Sequence, residues 1–109
     1  MISPRPTADP DVVDAANRHR YEIRSGTTLA GFALYEISGE ELTFTHTEID
    51  PEFDGKGLGA RLARAALDDV RTRGLGVVPL CPFIAGWIRR HPDYADLVDD
   101  RHCHRVEPT

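Results

Sequence analysis

The chain is short of sulfur, of positive charge and of long apolar runs. Its two cysteines, Cys81 and Cys103, fall in no paired C-x-x-C spacing. A disulfide scaffold is therefore excluded, and a reducing, cytoplasmic setting is the simplest reading. No stretch approaches about 18 continuous apolar residues, and the N-terminus carries no apolar segment of the secretory kind, which disfavours a membrane span and export. Against 18 Asp and Glu there are 13 Lys and Arg, a net charge of −5. Phosphate-backbone binding needs a basic footprint, so a general nucleic-acid binder is disfavoured as well. Internal repeats are absent. A chain of 109 residues reads as one domain that buries roughly two-thirds of its unfolded surface, enough for a modest core without staples.

What the chain does have is concentrated in residues 46–82, where HTEIDPEFDGKGLGARLARAALDDVRTRGLGVVPLCP joins strand, glycine turn, helix and strand. Residues 1–18, with Pro4, Pro6 and Pro10, read as an arm that adds little core, with room for a helical turn around Pro10–Asn17. From His19 to Arg24 the pattern alternates as in an outer strand with one wet face, and Leu29–Ile37 is nearly continuously apolar, as in a strand covered on both faces. The brief turns SGTT and SGEE make these strands antiparallel neighbours. In Leu42–Ile49, alternation puts Leu42, Phe44 and His46 on one face and Thr43, Thr45, Thr47 and Ile49 on the other. Asp50-Pro51 ends that strand.

Leu58, Leu62, Ala66 and Val70 then recur every four residues with Ala63 and Leu67 beside them, while Arg61, Arg64, Asp68 and Arg71 take the other side. That is an amphipathic helix of about four turns, stopped by Gly74. After a crossover helix, Leu75–Leu80 should run parallel to the preceding strand. Pro79 distorts that ladder, so its neighbour should splay away and leave backbone groups unpaired. A second helix runs from about Pro82 through Phe83, Ile84, Trp87 and Ile88 and stops before Pro92. The domain therefore spans 19–98, and 99–109 is a polar tail. The expected fold is mixed α/β (α+β): a four-stranded sheet in the order β-β-β-α-β-α, the first three strands antiparallel and the fourth reached by a parallel crossover.

Four features carry chemistry. Gly55, Gly57 and Gly59 let the main chain approach a ligand where a helix begins, which makes an anion site; the plainer alternative is a flexible turn. Cys81 precedes Pro82, the favoured first helical residue, so it sits at or next to the helix N-cap, a setting that favours nucleophilic thiols; it also reads as a small buried hydrophobe. His46 reads either as a base beside the glycine turn or as a satisfied core histidine sharing a face with Leu42 and Phe44. Tyr94 reads as a proton donor or a packing residue. The run His102, Cys103, His104 does not make a metal site, since neighbouring residues close a tetrahedron poorly and no second ligand group exists, so no metal is expected.

With THTEIDP, GKGLG, VVPLCPF and IRRHPDYADLV in this order, the chain resembles the GNAT superfamily of acyl-CoA-dependent N-acetyltransferases, and most closely its minimal branch of about a hundred residues. The resemblance covers roughly residues 19–98. It implies a minimal GNAT fold in which the pantetheine arm of acetyl-CoA lies between two splayed strands and its pyrophosphate over the glycine loop. By motif position, Ile49 would pair its backbone with pantetheine, and Gly55, Lys56, Gly57, Leu58 and Gly59 would hold the pyrophosphate, Lys56 adding a cation. The family's loop usually opens with Arg or Gln, whereas this chain has Asp54, a carboxylate that repels a pyrophosphate unless it turns away or caps the helix. The resemblance places Cys81 near the acyl thioester and His46 second to it as catalytic residues.

The implied function is transfer of an acetyl group from acetyl-CoA to a primary amine, directly or through acetyl-Cys81. The alternative is a CoA or acyl-CoA binding module without turnover. A nucleotide-phosphate binder is disfavoured because the loop lacks the Lys-Ser/Thr ending of a P-loop. Glu48, Asp50, Glu52 and Asp54 near the cleft suit a cationic acceptor whose identity has no readable signature, and the outer strand at 19–24 leaves a monomer or weak dimer.

Overall fold

The computed structural model of the chain describes residues 11–53 and 55–98. In order come β1 (Asp11–Ala15), β2 (Arg20–Ser25), β3 (Thr28–Ser38), β4 (Glu41–Ile49), α1 (Leu58–Thr72), β5 (Gly76–Pro79) and α2 (Pro82–Arg90), with short 3-10 helices at Ala16–Arg18, Pro51–Phe53 and Pro92–Leu97. The sheet keeps chain order, β1-β2-β3-β4-β5. Its first four strands pair antiparallel and β5 joins β4 in parallel. This is the expected mixed α/β fold, with five strands where four were expected.

The fifth strand is β1, which pairs with β2 from Asp11↔Arg24 to Ala15↔Arg20 and so makes β2 an interior strand rather than an outer one. Its sequence, DVVDA, offers too little alternation to announce a strand. Polar anchors hold it in place. The Tyr35 hydroxyl donates to Asp14 at 2.5 Å, and the Arg73 guanidinium meets the same carboxylate at 3.0 Å and the Tyr21 oxygen at 3.3 Å. Tyr21 in turn donates to Asp69 at 2.6 Å. Burial and the bond to Asp14 push the Tyr35 phenol up to about 12, and burial and the bond to Asp69 raise that of Tyr21, so both stay protonated donors.

One sheet face carries the core. Tyr21, Ile23, Ala33, Tyr35, Leu42 and Phe44 are buried against Leu58, Leu62, Ala66, Leu67 and Val70 of α1 and Ile84, Trp87 and Ile88 of α2. The four-residue spacing read for α1 is therefore its core stripe, and each such aliphatic side chain contributes about 1.5–3 kcal/mol by leaving water. The Pro92–Leu97 turn, expected as a brief turn into a polar tail, belongs to this core instead. Tyr94, Leu97 and Val98 are buried, and Val98 bridges to Val77 of β5. Arg71 holds the turn with a two-pronged bond to Asp96 at 2.8 and 3.0 Å.

A bulge sets the two faces of β4. Leu34 opposes His46 but Tyr35 opposes Phe44, which leaves Thr45 without a partner. One extra residue inverts every side chain beyond it. Thr47 and Ile49 consequently join the face of Leu42 and Phe44, while His46 and Glu48 turn to the opposite face. The expected core position of His46 is corrected by this bulge: its side chain is 54% exposed and lies 3.5 Å from Glu48.

Neither α1 nor α2 packs over that opposite face. There Glu22 is fully buried under Arg20, at 2.6 Å, and Arg24, with Arg18 at 3.6 Å. Burial raises the Glu22 carboxyl, but the bonds from Arg24 and Arg20 outweigh it and hold it below the ordinary range. A carboxyl depressed in the folded state stabilises above its unfolded pKa and loses that contribution as the pH falls through its folded value. Glu22→Gln should therefore cost about 1–3 kcal/mol at pH 7. In urea titrations the gap to the native chain should close below about pH 4.

Candidate functional site

β4 and β5 stay together only from Glu41↔Gly76 to Phe44↔Pro79. Pro79 has no N–H to offer, and Leu80 N–H folds back to the Val78 carbonyl at 3.1 Å, a tight turn that bends the chain off the sheet. Cys81 N–H then gives the last bond across, to the Phe44 carbonyl at 2.9 Å. Beyond it β4 continues through the Thr45 bulge while the other chain enters α2. The two diverge as a V, as Pro79 led us to expect.

Cys81 is the N-cap of α2, with Pro82 at the first helical position. Its thiol is nearly fully buried and lies 3.3 Å from the Thr47 hydroxyl, across the base of the V. Farther out, Ile49 and Phe83 face each other over Gly59: a Cβ on Gly59 would sit 2.8 Å from Phe83 Cζ and 3.7 Å from Ile49 Cγ1. Glycine at position 59 is what lets α1 approach both. Phe83 itself is 37% exposed.

The mouth of the V ends at the start of α1. Gly55 and Gly57 have φ of 80° and 73°, left-handed values that only glycine adopts without strain. Gly57 is the N-cap, and among the described residues no side-chain bond caps the first turn. A glycine at this position brings no carboxylate or hydroxyl of its own to the early N–H groups, which point away from the helix at its positive end. The Lys56 ammonium lies 5.7 Å from the Phe53 ring beside this loop. Asp54 lies outside the described residues, as do His102, Cys103 and His104. Among the described residues no three or more His, Cys, Asp or Glu gather to hold a metal ion.

The site residues read from the sequence thus fall in two places. Ile49 and the start of α1 meet at Gly59 and Phe83, and Cys81 lies buried beside Thr47 at the base of the V, whereas His46 is on the other sheet face, beside Phe32 and Glu48, with ring centroids 6.3 Å apart for Phe32. Thr47, at the base of the V, was not singled out. Its neighbour in the alternation was, and only the unreadable bulge exchanges the two. Tyr94 is buried, with its hydroxyl donating to Asp68 at 2.7 Å and accepting from Arg64 at 3.2 Å. The bond to Asp68 and burial raise its pKa, so it acts as a strut between α1 and the Pro92–Leu97 turn.

Comparison with known proteins follows this geometry. A family model described as GCN5-related N-acetyl-transferase matches residues 20–97. The chain is 30% identical over 77 residues to Protein NATD1 of Homo sapiens, covering 69% of this chain and 68% of that one. Over 54 residues it is 30% identical to the [Ribosomal protein bS18]-alanine N-acetyltransferase of Salmonella typhimurium, covering 50% of this chain but only 36% of that enzyme. Among solved structures, a GCN5-like protein from Staphylococcus aureus superposes with a TM-score of 0.63 at 19% identity, covering 86% of this chain and 95% of that one. The ribosomal-protein-S18-alanine N-acetyltransferase from Escherichia coli gives 0.52 at 23% identity, over 55% of this chain and 39% of that one. These two likenesses show the fold.

Two glycine substitutions test the packing of the opening. Gly59→Ala should push the Phe83 ring outward at a cost of about 1 kcal/mol, since only the end of a side chain must yield. Gly31→Ala should cost more, about 3 kcal/mol, because its Cβ would meet the Glu48 carbonyl and Ile49 Cδ1, each at 2.5 Å. Urea midpoints of the two variants give the comparison, and equal midpoints would contradict it.

Proposed function

The chain belongs to the GCN5-related N-acetyltransferase family, and from that premise we propose that it moves an acetyl group from acetyl-CoA to a primary amine. The observation that carries this is the V itself: two strands parted by Pro79 and a bulge, a thiol at its base and a glycine-started helix at its mouth. The chain spans 36% of the Salmonella enzyme it resembles, so the acceptor named for that enzyme is not transferred here.

The residues fit a CoA thioester. Asp50 N–H bonds to Ala30 of β3 at 2.7 Å, so Ile49, one residue back, directs its own N–H and C=O to the unpaired edge, where a pantetheine amide can pair. Gly55, Gly57 and Gly59 with Leu58 offer main-chain N–H groups to a pyrophosphate, and Lys56 supplies the cation. Acetyl-CoA, when bound, supplies an activated acetyl thioester. Phe83 is the half-exposed ring that would move aside to admit the pantetheine toward Cys81.

Two routes use these groups. In the direct route the amine nitrogen attacks the thioester carbon, the C–S bond breaks, and a water or His46 takes the ammonium proton. In the covalent route Cys81 Sγ first accepts the acetyl group with release of CoA, Thr47 orients the thiol, and the amine then attacks acetyl-Cys81. Main-chain N–H groups at the edge of β4 stabilise the oxyanion in either case.

Intact mass after incubation with acetyl-CoA alone separates the routes. The covalent route leaves an adduct of about 42 dalton, absent from Cys81→Ala, whereas the direct route leaves none. Thiol release with a panel of amines should depend on the acceptor. CoA binding with no release from any acceptor would replace the enzyme by a CoA-binding module.

A further inference from the structure

On the sheet face opposite α1 and α2, cross-strand pairing aligns Glu22 of β2, Phe32 of β3 and Glu48 of β4 in one row. Arg20, Leu34 and His46 form the next row. Charge is divided along these rows. At the β2 end, Arg18, Arg20 and Arg24 surround the single buried carboxylate of Glu22, and this end stays net positive with Asp11 opposite Arg24. At the β4 end, Glu48 is 60% exposed beside His46. Between them the Phe32 ring carries the Arg20 guanidinium at 4.8 Å on one side and the His46 ring on the other. A cavity of about 340 Å³ is lined by Phe32 and Glu48 together with Leu29, Ile49, Asp50 and Pro51.

We infer that this strip is the acceptor subsite, and that the acceptor is an amine carrying a remote anionic group. This rests on the acetyl-transfer reading above. Glu48 draws the ammonium to β4, the strand that borders the V. Phe32 and the adjoining cavity take the apolar body, and the Arg20 and Arg24 guanidiniums take the anion. Burial of Glu22 beneath them fixes both guanidiniums in place, which lowers the cost of binding. Neighbouring strands lie about 4.8 Å apart, so the charge centres of β2 and β4 are separated by roughly two spacings, on the order of 10 Å. A polyamine would place a second cation against the arginines. A simple alkylamine would engage neither guanidinium.

The test is acetylated-amine formation, read by mass spectrometry, for ω-amino acids of four to eight carbons against alkylamines and diamines of matched length. The ω-amino acids should exceed both comparators by about 10-fold in kcat/KM, with an optimum in the longer half of the series, where the charges lie roughly two strand spacings apart. The triple variant Arg20→Gln/Glu22→Gln/Arg24→Gln removes both guanidiniums without stranding a buried carboxylate. It should bring the kcat/KM of the ω-amino acids down to that of the matched alkylamine. Equal rates for the three classes, or a diamine preference, would overturn the inference while leaving acetyl transfer intact. Failure of acetyl transfer itself shows as no CoA release with any amine. In that case amide shifts on adding the ω-amino acids decide: changes at Arg20–Arg24 and His46–Glu48 support the subsite, and none there refute it.

Discussion

The structure depends on one parting of the backbone. β4 and β5 share a ladder for four residue pairs and then lose it, because Pro79 removes a donor, Leu80 folds back on Val78 and Thr45 bulges from the facing strand. The hydrogen-bonding edge of β4 beyond Phe44 is thereby left without a strand beside it. Unpaired main-chain groups in a partly buried setting call for a partner. A pantetheine arm, with amides spaced along an extended chain, is such a partner. The same parting delivers Cys81 to a helix N-cap opposite Thr47 and opens the path that Gly59 and Phe83 border.

The rest of the molecule holds that opening in place. Core packing on one face locks α1 and α2 to the sheet, and the Tyr21, Tyr35, Asp14, Asp69 and Arg73 network ties β1 to the end of α1. On the far side Tyr94 and Arg71 fasten the Pro92–Leu97 turn, whose Val98 closes against β5. Among the described residues no second layer of helices lies over the other sheet face. That face carries an arginine-capped Glu22 and exposed charge on β4, which give it a defined polarity.

Much of this was legible in the sequence, and the reasons differ by element. The α1 stripe and its Gly74 stop are periodic signals set by burial, and they were readable. The V was readable from Pro79 because a missing donor has only local consequences. Cys81 was placed at its helix start by Pro82 for the same reason. β1 was not legible, since its hold comes from tyrosines and an arginine far along the chain. His46 was placed on the wrong face because alternation assumes an unbroken ladder, and nothing in LTFTHTEI marks Thr45 as the extra residue. The Pro92–Leu97 turn read as surface because its anchors, Arg64 and Arg71, look like the solvated side of α1 until Tyr94 and Asp96 are seen against them.

The central claim is that a CoA thioester lies along the free edge of β4 with its pyrophosphate at the start of α1. An amide-resolved NMR titration of the full chain with CoA tests it most directly. The account predicts saturable shifts confined to Gly55–Gly59, to Thr45–Ile49 and to Cys81 and Phe83, with Arg71, Tyr94 and the β1–β2 pair unmoved. Shifts scattered over the surface, or none at the glycine loop at millimolar CoA, would contradict it.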